Sequence, residues 1–138
     1  MNIASTQRTA LAELAEKHRL RLVMLFGSHA GGAVHNASDL DIAVQTREGS
    51  GLSIRAWLDL QGDLRGVFPD QSVDLALTDR ADPLFLKQIS GRCVLLAGRE
   101  RDFLEFKMYA YRRYQDYKPY LALERRFVES LAGKGAAG

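Results

Sequence analysis

Four short apolar runs constrain this chain most. They are Arg19 to Phe26, Leu40 to Gln45, Ser72 to Leu77 and Cys93 to Ala97. Each has strand length and is rich in Leu, Val, Ile or Met. No Asn-Gly or Asp-Gly dipeptide joins any two of them, so hairpins give way to longer crossover connections. The segments between them carry helical patterns. Ser5 or Thr6 is placed to cap a first helix, with Leu11, Leu14, Ala15 and His18 on one face. Ile54, Trp57, Leu58, Leu60 and Leu64 form a second stripe, which Pro69 ends. Pro83 opens a third helix. A long helix follows from Arg99 to about Tyr117; Pro119 kinks or breaks it, and a last helix reaches about Leu131 before a fraying tail. Strands alternating with helices in 138 residues make one α/β (α+β) domain. Residues 1–98 form its core, and residues 99–138 are helices packed on that core.

Composition removes several classes. One cysteine, Cys93, excludes an internal disulfide and a cysteine-rich zinc site; beginning an apolar strand, it reads as a small core residue. No apolar run reaches the roughly 18 residues of a membrane span, and the first residues lack a basic-then-apolar leader pattern. A cytoplasmic protein is therefore expected. Residues 99–138 hold nine Lys/Arg against six Asp/Glu. That excess is too small to make nucleic acid the expected ligand.

The chemistry concentrates in Gly27-Ser28, then ten residues, then Asp39-Leu40-Asp41. Alternation on a strand turns Asp39 and Asp41 to one face and Leu40 and Ile42 to the other. Adjacent carboxylates repel unless a cation lies between them, and hard cations such as Mg²⁺ take carboxylates together with substrate phosphates. Asp74 lies in Val73-Asp74-Leu75-Ala76-Leu77, where an apolar strand has no structural need of a charge. If that strand neighbours the second, the three carboxylates can hold two divalent ions for in-line phosphoryl displacement. Gly27 lets backbone approach a phosphate, and the Ser28 hydroxyl can hold its oxygens. His29 and His35 flank this site, and loop histidines are more often bystanders. Phe103, Phe106, Ala110, Tyr114, Tyr117 and Leu121 repeat at helical spacing as a core stripe. Tyr109, Tyr111 and Tyr120 fall on other faces beside Arg112, Arg113 and Lys118, a mixture suited to a protein interface.

Phe26-Gly27-Ser28-His29-Ala30-Gly31-Gly32, followed by Ser38-Asp39-Leu40-Asp41-Ile42-Ala43-Val44, resembles the signature of the polymerase-beta-like nucleotidyltransferase superfamily. More narrowly it resembles the minimal nucleotidyltransferases, the MNT-domain antitoxins of HEPN/MNT toxin–antitoxin pairs. Val73-Asp74-Leu75, Pro83 to Leu96 and the Phe103, Tyr114, Asp116, Tyr117 pattern extend the resemblance over most of the chain. It departs from the common pattern at His29, where arginine is frequent, and at Gly31, where many relatives carry a basic residue. The resemblance implies a mixed sheet flanked by helices. It implies that Gly27 and Ser28 contact phosphates and that Asp39, Asp41 and Asp74 hold Mg²⁺. It further implies transfer of AMP from ATP to a tyrosine hydroxyl of a HEPN ribonuclease toxin, which silences it. The partners implied are ATP and that toxin, with homo-oligomers or a hetero-oligomer with the toxin open. Two rival readings are a non-catalytic antitoxin that masks the toxin by binding, and a nucleotidyltransferase acting on a small molecule. About 40 residues after the last strand leave little room for the substrate domain the second rival needs.

Overall fold

In the computed structural model, residues 3–27, residue 30 and residues 39–137 are described, with side chains as far as residue 133. The elements follow in the order α1 (Ser5–Lys17), β1 (Leu20–Phe26), β2 (Leu40–Thr46), α2 (Ile54–Val67), β3 (Val73–Leu77), α3 (Pro83–Gly91), β4 (Cys93–Gly98) and α4 (Glu100–Ala137). The strands form one sheet in the order β3-β2-β1-β4. β1 pairs antiparallel with β2 and with β4. β2 and β3 pair in parallel, joined by the α2 crossover. The sheet is thus mixed, as the resemblance implied.

Central position explains why β1 is apolar on both sides. Val23 and Leu25 face α1 and α2, in a core shared with Leu11, Ile42, Leu60 and Leu64. Leu22, Met24 and Phe26 face α3 and α4, packing with Ala43, Leu86, Ile89, Phe106 and Ala110. Two helical layers therefore sandwich the sheet. Cys93 is half-buried, and that burial pushes its thiol up to about 11.

Three local expectations are corrected. The N-cap of α1 is Ala4, not Ser5 or Thr6, and the Gln7 side chain accepts from the Ala4 N–H at 3.0 Å in place of a hydroxyl cap. α2 buries Leu60 and Leu64, but Ile54 and Leu58 stand 81% and 61% exposed, so the buried stripe is narrower than the apolar pattern. Ser53 caps this helix, accepting from Ala56 N–H at 3.1 Å. The third correction is Pro119. One helix runs unbroken from Glu100 to Ala137, with Pro119 inside it. Proline removes one hydrogen bond and bends a helix, but the Leu, Ala, Glu and Arg residues that follow favour helix strongly. His18 is the C-cap of α1, and its Nε2 lies 2.6 Å from Asp63 Oδ2 on α2.

Candidate active site

The cleft forms where β1 ends and β2 begins. Phe26 is register partner of Asp41, and Asp41 is register partner of Asp74 across the parallel pair. Neighbouring strands lie about 4.8 Å apart, so the two acidic residues are side by side. Alternation turns Asp41 to the side of the sheet that Ala43 occupies, beneath α3. Asp41 is half-buried and Asp74, on the edge strand, is exposed. Among the described residues no salt bridge engages Asp74. Asp39 is exposed, two residues before Asp41 and just outside β2. The start of β2 is pinned where Leu40 N–H donates to the Ser72 carbonyl at 2.8 Å.

Gly27 completes the corner. Its φ of +79° is left-handed, and a Cβ built there would overlap Asp41 Oδ2. Only glycine leaves room for the carboxylate and for close approach of a ligand to the backbone. Ser28, His29, Gly31 and His35 lie outside the described residues.

The cleft holds about 380 Å³ and is walled by Phe26, Gly27, Asp41, Asp74, Ala76, Phe85 and Gln88. Phe85 meets Phe26 edge-on, ring centroids 6.3 Å apart. Phe85 and Gln88 went unread in the sequence, although a signal was present. Asp82 caps α3 by accepting from Phe85 N–H at 2.9 Å, and Pro83 follows, which fixes the helix phase. With Leu86 and Ile89 buried, residues 85 and 88 share the adjoining face, three apart.

Oxygen-only donors in an open cleft are the chemistry of a hard cation. Among the described residues no group of three or more His, Cys, Asp or Glu stands ready to enclose a metal. The neighbouring pair Asp41 and Asp74 nevertheless fits Mg²⁺, which commonly takes one or two carboxylates and completes its shell with substrate phosphates and water. Among the described residues no helix is long and apolar enough to cross a membrane.

Comparison with known proteins agrees with this geometry. The family model described as polymerase beta, nucleotidyltransferase, matches residues 9–102. No curated protein matches the chain. Among solved structures, a toxin–antitoxin with AMP-PNP is 27% identical, with a TM-score of 0.70 over 91% of this chain and 97% of that one. A variant of the toxin–antitoxin MntA-HpeT with two aspartate-to-glutamate substitutions is 25% identical, with a TM-score of 0.69 over the same shares. A tri-AMPylated Shewanella oneidensis HEPN toxin in complex with MNT antitoxin is similar in fold, at 24% identity and TM-score 0.65 over 92% of this chain and 96% of that one. Since the matched span holds all of the sheet and the acidic pair with it, the chain belongs to the polymerase beta nucleotidyltransferase family.

Proposed function

We propose that this nucleotidyltransferase is an MNT antitoxin that moves AMP from ATP to a tyrosine hydroxyl of a HEPN ribonuclease and so silences it, in a reaction that requires Mg²⁺. The observation that carries the reading is the register pairing of Asp41 with Asp74, beside a left-handed Gly27 that accommodates the Asp41 carboxylate. The similarity to a toxin–antitoxin with AMP-PNP supports the choice of nucleotide and partner.

Asp39, Asp41 and Asp74 are the proposed metal-holding and catalytic residues, and Gly27 and Ser28 the proposed phosphate contacts. Two magnesium ions, when bound, would neutralise the triphosphate and lower the pKa of the acceptor hydroxyl. Asp41, half-buried against Gly27, is suited to fix the nucleotide. Asp74, on the exposed edge strand, is open to an acceptor as large as a protein loop. The acceptor hydroxyl releases its proton to water, its oxygen bonds to the α-phosphorus, and the bond to the bridging oxygen breaks so that pyrophosphate leaves. Phe26 and Phe85 form a wall that limits water, the competing nucleophile.

The test is transfer of label from α-labelled ATP to a HEPN-domain protein from the same genome. Asp41→Asn and Asp74→Asn are each expected to lower transfer by about 100-fold or more, the scale of losing one electrostatic stabiliser. Transfer undiminished in both variants would refute the assignment. Loss of transfer with toxin suppression intact in cells would make binding sufficient.

A further inference from the structure

A row of strand ends leads away from the acidic pair. Asp74 is the register partner of Asp41, Asp41 of Phe26, and Phe26 of Cys93. Gly27 follows Phe26 and Arg92 precedes Cys93, and β1 and β4 run antiparallel, so both residues pass the same end of the sheet. The order across that end is Asp74, Asp41, Gly27, Arg92, with β4 on the far side of β1 from β2. Three strand spacings make the row about 14 Å long.

The corner beside Arg92 is an open groove. It holds about 480 Å³ and is walled by Gly27, Leu84, Lys87, Gln88, Gly91 and Arg92. Gly27 and Gln88 also wall the acidic cleft, so the two spaces are continuous. Lys87 and Arg92 are exposed, and among the described residues neither enters a salt bridge. By contrast Arg19, Arg21, Arg47 and Arg99 all pair with carboxylates. Lys87 Nζ rests 4.0 Å from the centroid of the Tyr114 ring, a contact that orients the ammonium without neutralising it.

The cleft lacks cations of its own. No Lys or Arg lies between Arg21 and Arg47, the stretch that carries Gly27, Ser28, Asp39 and Asp41. Two divalent ions would balance three carboxylates with one charge to spare, which leaves most of a triphosphate's charge for the chain to meet. The carbonyl end of α3 adds about half a negative charge at the same corner, so one cation there is not enough. In-line displacement sets acceptor and leaving group on opposite sides of the α-phosphorus. An acceptor entering over Asp74, at the sheet edge, directs the leaving group the other way along the row, past Gly27 toward Arg92.

We infer that Lys87 and Arg92 hold the β- and γ-phosphates and receive the departing pyrophosphate. The inference rests on the proposed function for the nucleotide and for the side on which the acceptor enters. The bridging oxygen leaves with the bonding electron pair, and the two cations meet the charge that develops on it.

The experiment uses the full chain with Mg²⁺. Calorimetry measures ATP affinity, competition measures AMP affinity, and label transfer to a HEPN-domain protein from the same genome is read separately. Lys87→Gln/Arg92→Gln is expected to weaken ATP binding about 30-fold or more, the scale of losing two charge-assisted hydrogen bonds at an open site. AMP, which lacks both outer phosphates, should bind that variant as it binds wild type. Lys87→Arg/Arg92→Lys, which keeps both charges, should restore most of the ATP affinity. Arg47→Gln removes the same charge at the opposite end of β2 and should leave ATP affinity within about twofold, since screening is nearly complete over that distance. ATP affinity unchanged in the double glutamine variant overturns the inference. So does an equal loss for ATP and AMP, a charge-keeping variant as weak as the glutamine one, or a wild type that does not bind ATP. A wild type that binds ATP but transfers no label is failure of the enzymatic reading, and the binding comparison still decides this one.

Discussion

Replacing Gly27 by alanine should separate activity from stability. A left-handed backbone costs an alanine about 1–2 kcal/mol. Restricting the unfolded chain offsets about 0.4–1 kcal/mol of that. The net loss is about 1 kcal/mol, a fall in Tm of roughly 3–6 °C for a chain this long. The new methyl group would overlap Asp41 Oδ2, with Asp41 Cγ at 3.3 Å. A carboxylate tip can rotate aside, so the fold survives and the carboxylate moves. Displacing a positioning group by an ångström costs about 100-fold in rate. Gly98→Ala supplies the opposite case. Gly98 has φ +127°, and its added Cβ would meet the Arg21 carbonyl at 2.6 Å. That carbonyl belongs to the main chain of the central strand and cannot swing away, so about 2–4 kcal/mol is lost. Thermal melts and label transfer per folded molecule read both effects. Gly27→Ala should be the inactive, stable protein and Gly98→Ala the active, unstable one. If Gly27→Ala keeps more than a third of wild-type transfer, the placement of Asp41 against Gly27 is not what the reaction needs.

Two further expectations concern stability. Arg21 first, and then Arg99, hold the Asp102 carboxyl below its ordinary 3.8. A lowered folded-state value stabilises above the unfolded value and is lost as pH falls through the folded one. Asp102→Asn should therefore melt earlier than wild type at pH 7, and the two melting curves should converge below pH 3.8. Parallel curves throughout would show that the pairing contributes nothing to the fold. Asp74→Asn should raise stability by about 0.5–1 kcal/mol, the scale of relieving like charges on paired strands. An unchanged or lower Tm would show that Asp74 does not repel its neighbour.

Much of the architecture was legible because burial leaves a periodic trace. β1 is apolar on both faces, which only a central strand between two helical layers requires. The spacing of Asp39 and Asp41 declared a shared face. The adjacency of Asp41 and Asp74 was conditional, since a strand's pattern reveals which residues face inward and not which strand lies beside it. The α2 crossover decides that, and its direction leaves no mark on side-chain alternation. α2 itself misled, because Ile54 and Leu58 carry the apolar pattern without the burial. The continuity of α4 was obscured for a different reason. Pro119 is a strong local signal, and the helix formers that outweigh it are spread over the turns beyond.

The position of the acidic pair follows from the same sheet order. At β1, flanked on both edges and both faces, two facing carboxylates would each lose hydration and their repulsion would rise as the dielectric falls. At the β2–β3 pair one of them lies on an edge strand. Asp74 keeps its water there, and only Asp41 is half-buried. The repulsion is therefore smallest where solvent still reaches, and a cation held between the two can reverse its sign. The edge that screens the pair also leaves it accessible from the side. A strand added beyond β3 would cover Asp74 and close that approach. An uncovered edge suits an acceptor that is itself a folded protein, because its hydroxyl can then enter the cleft from the side.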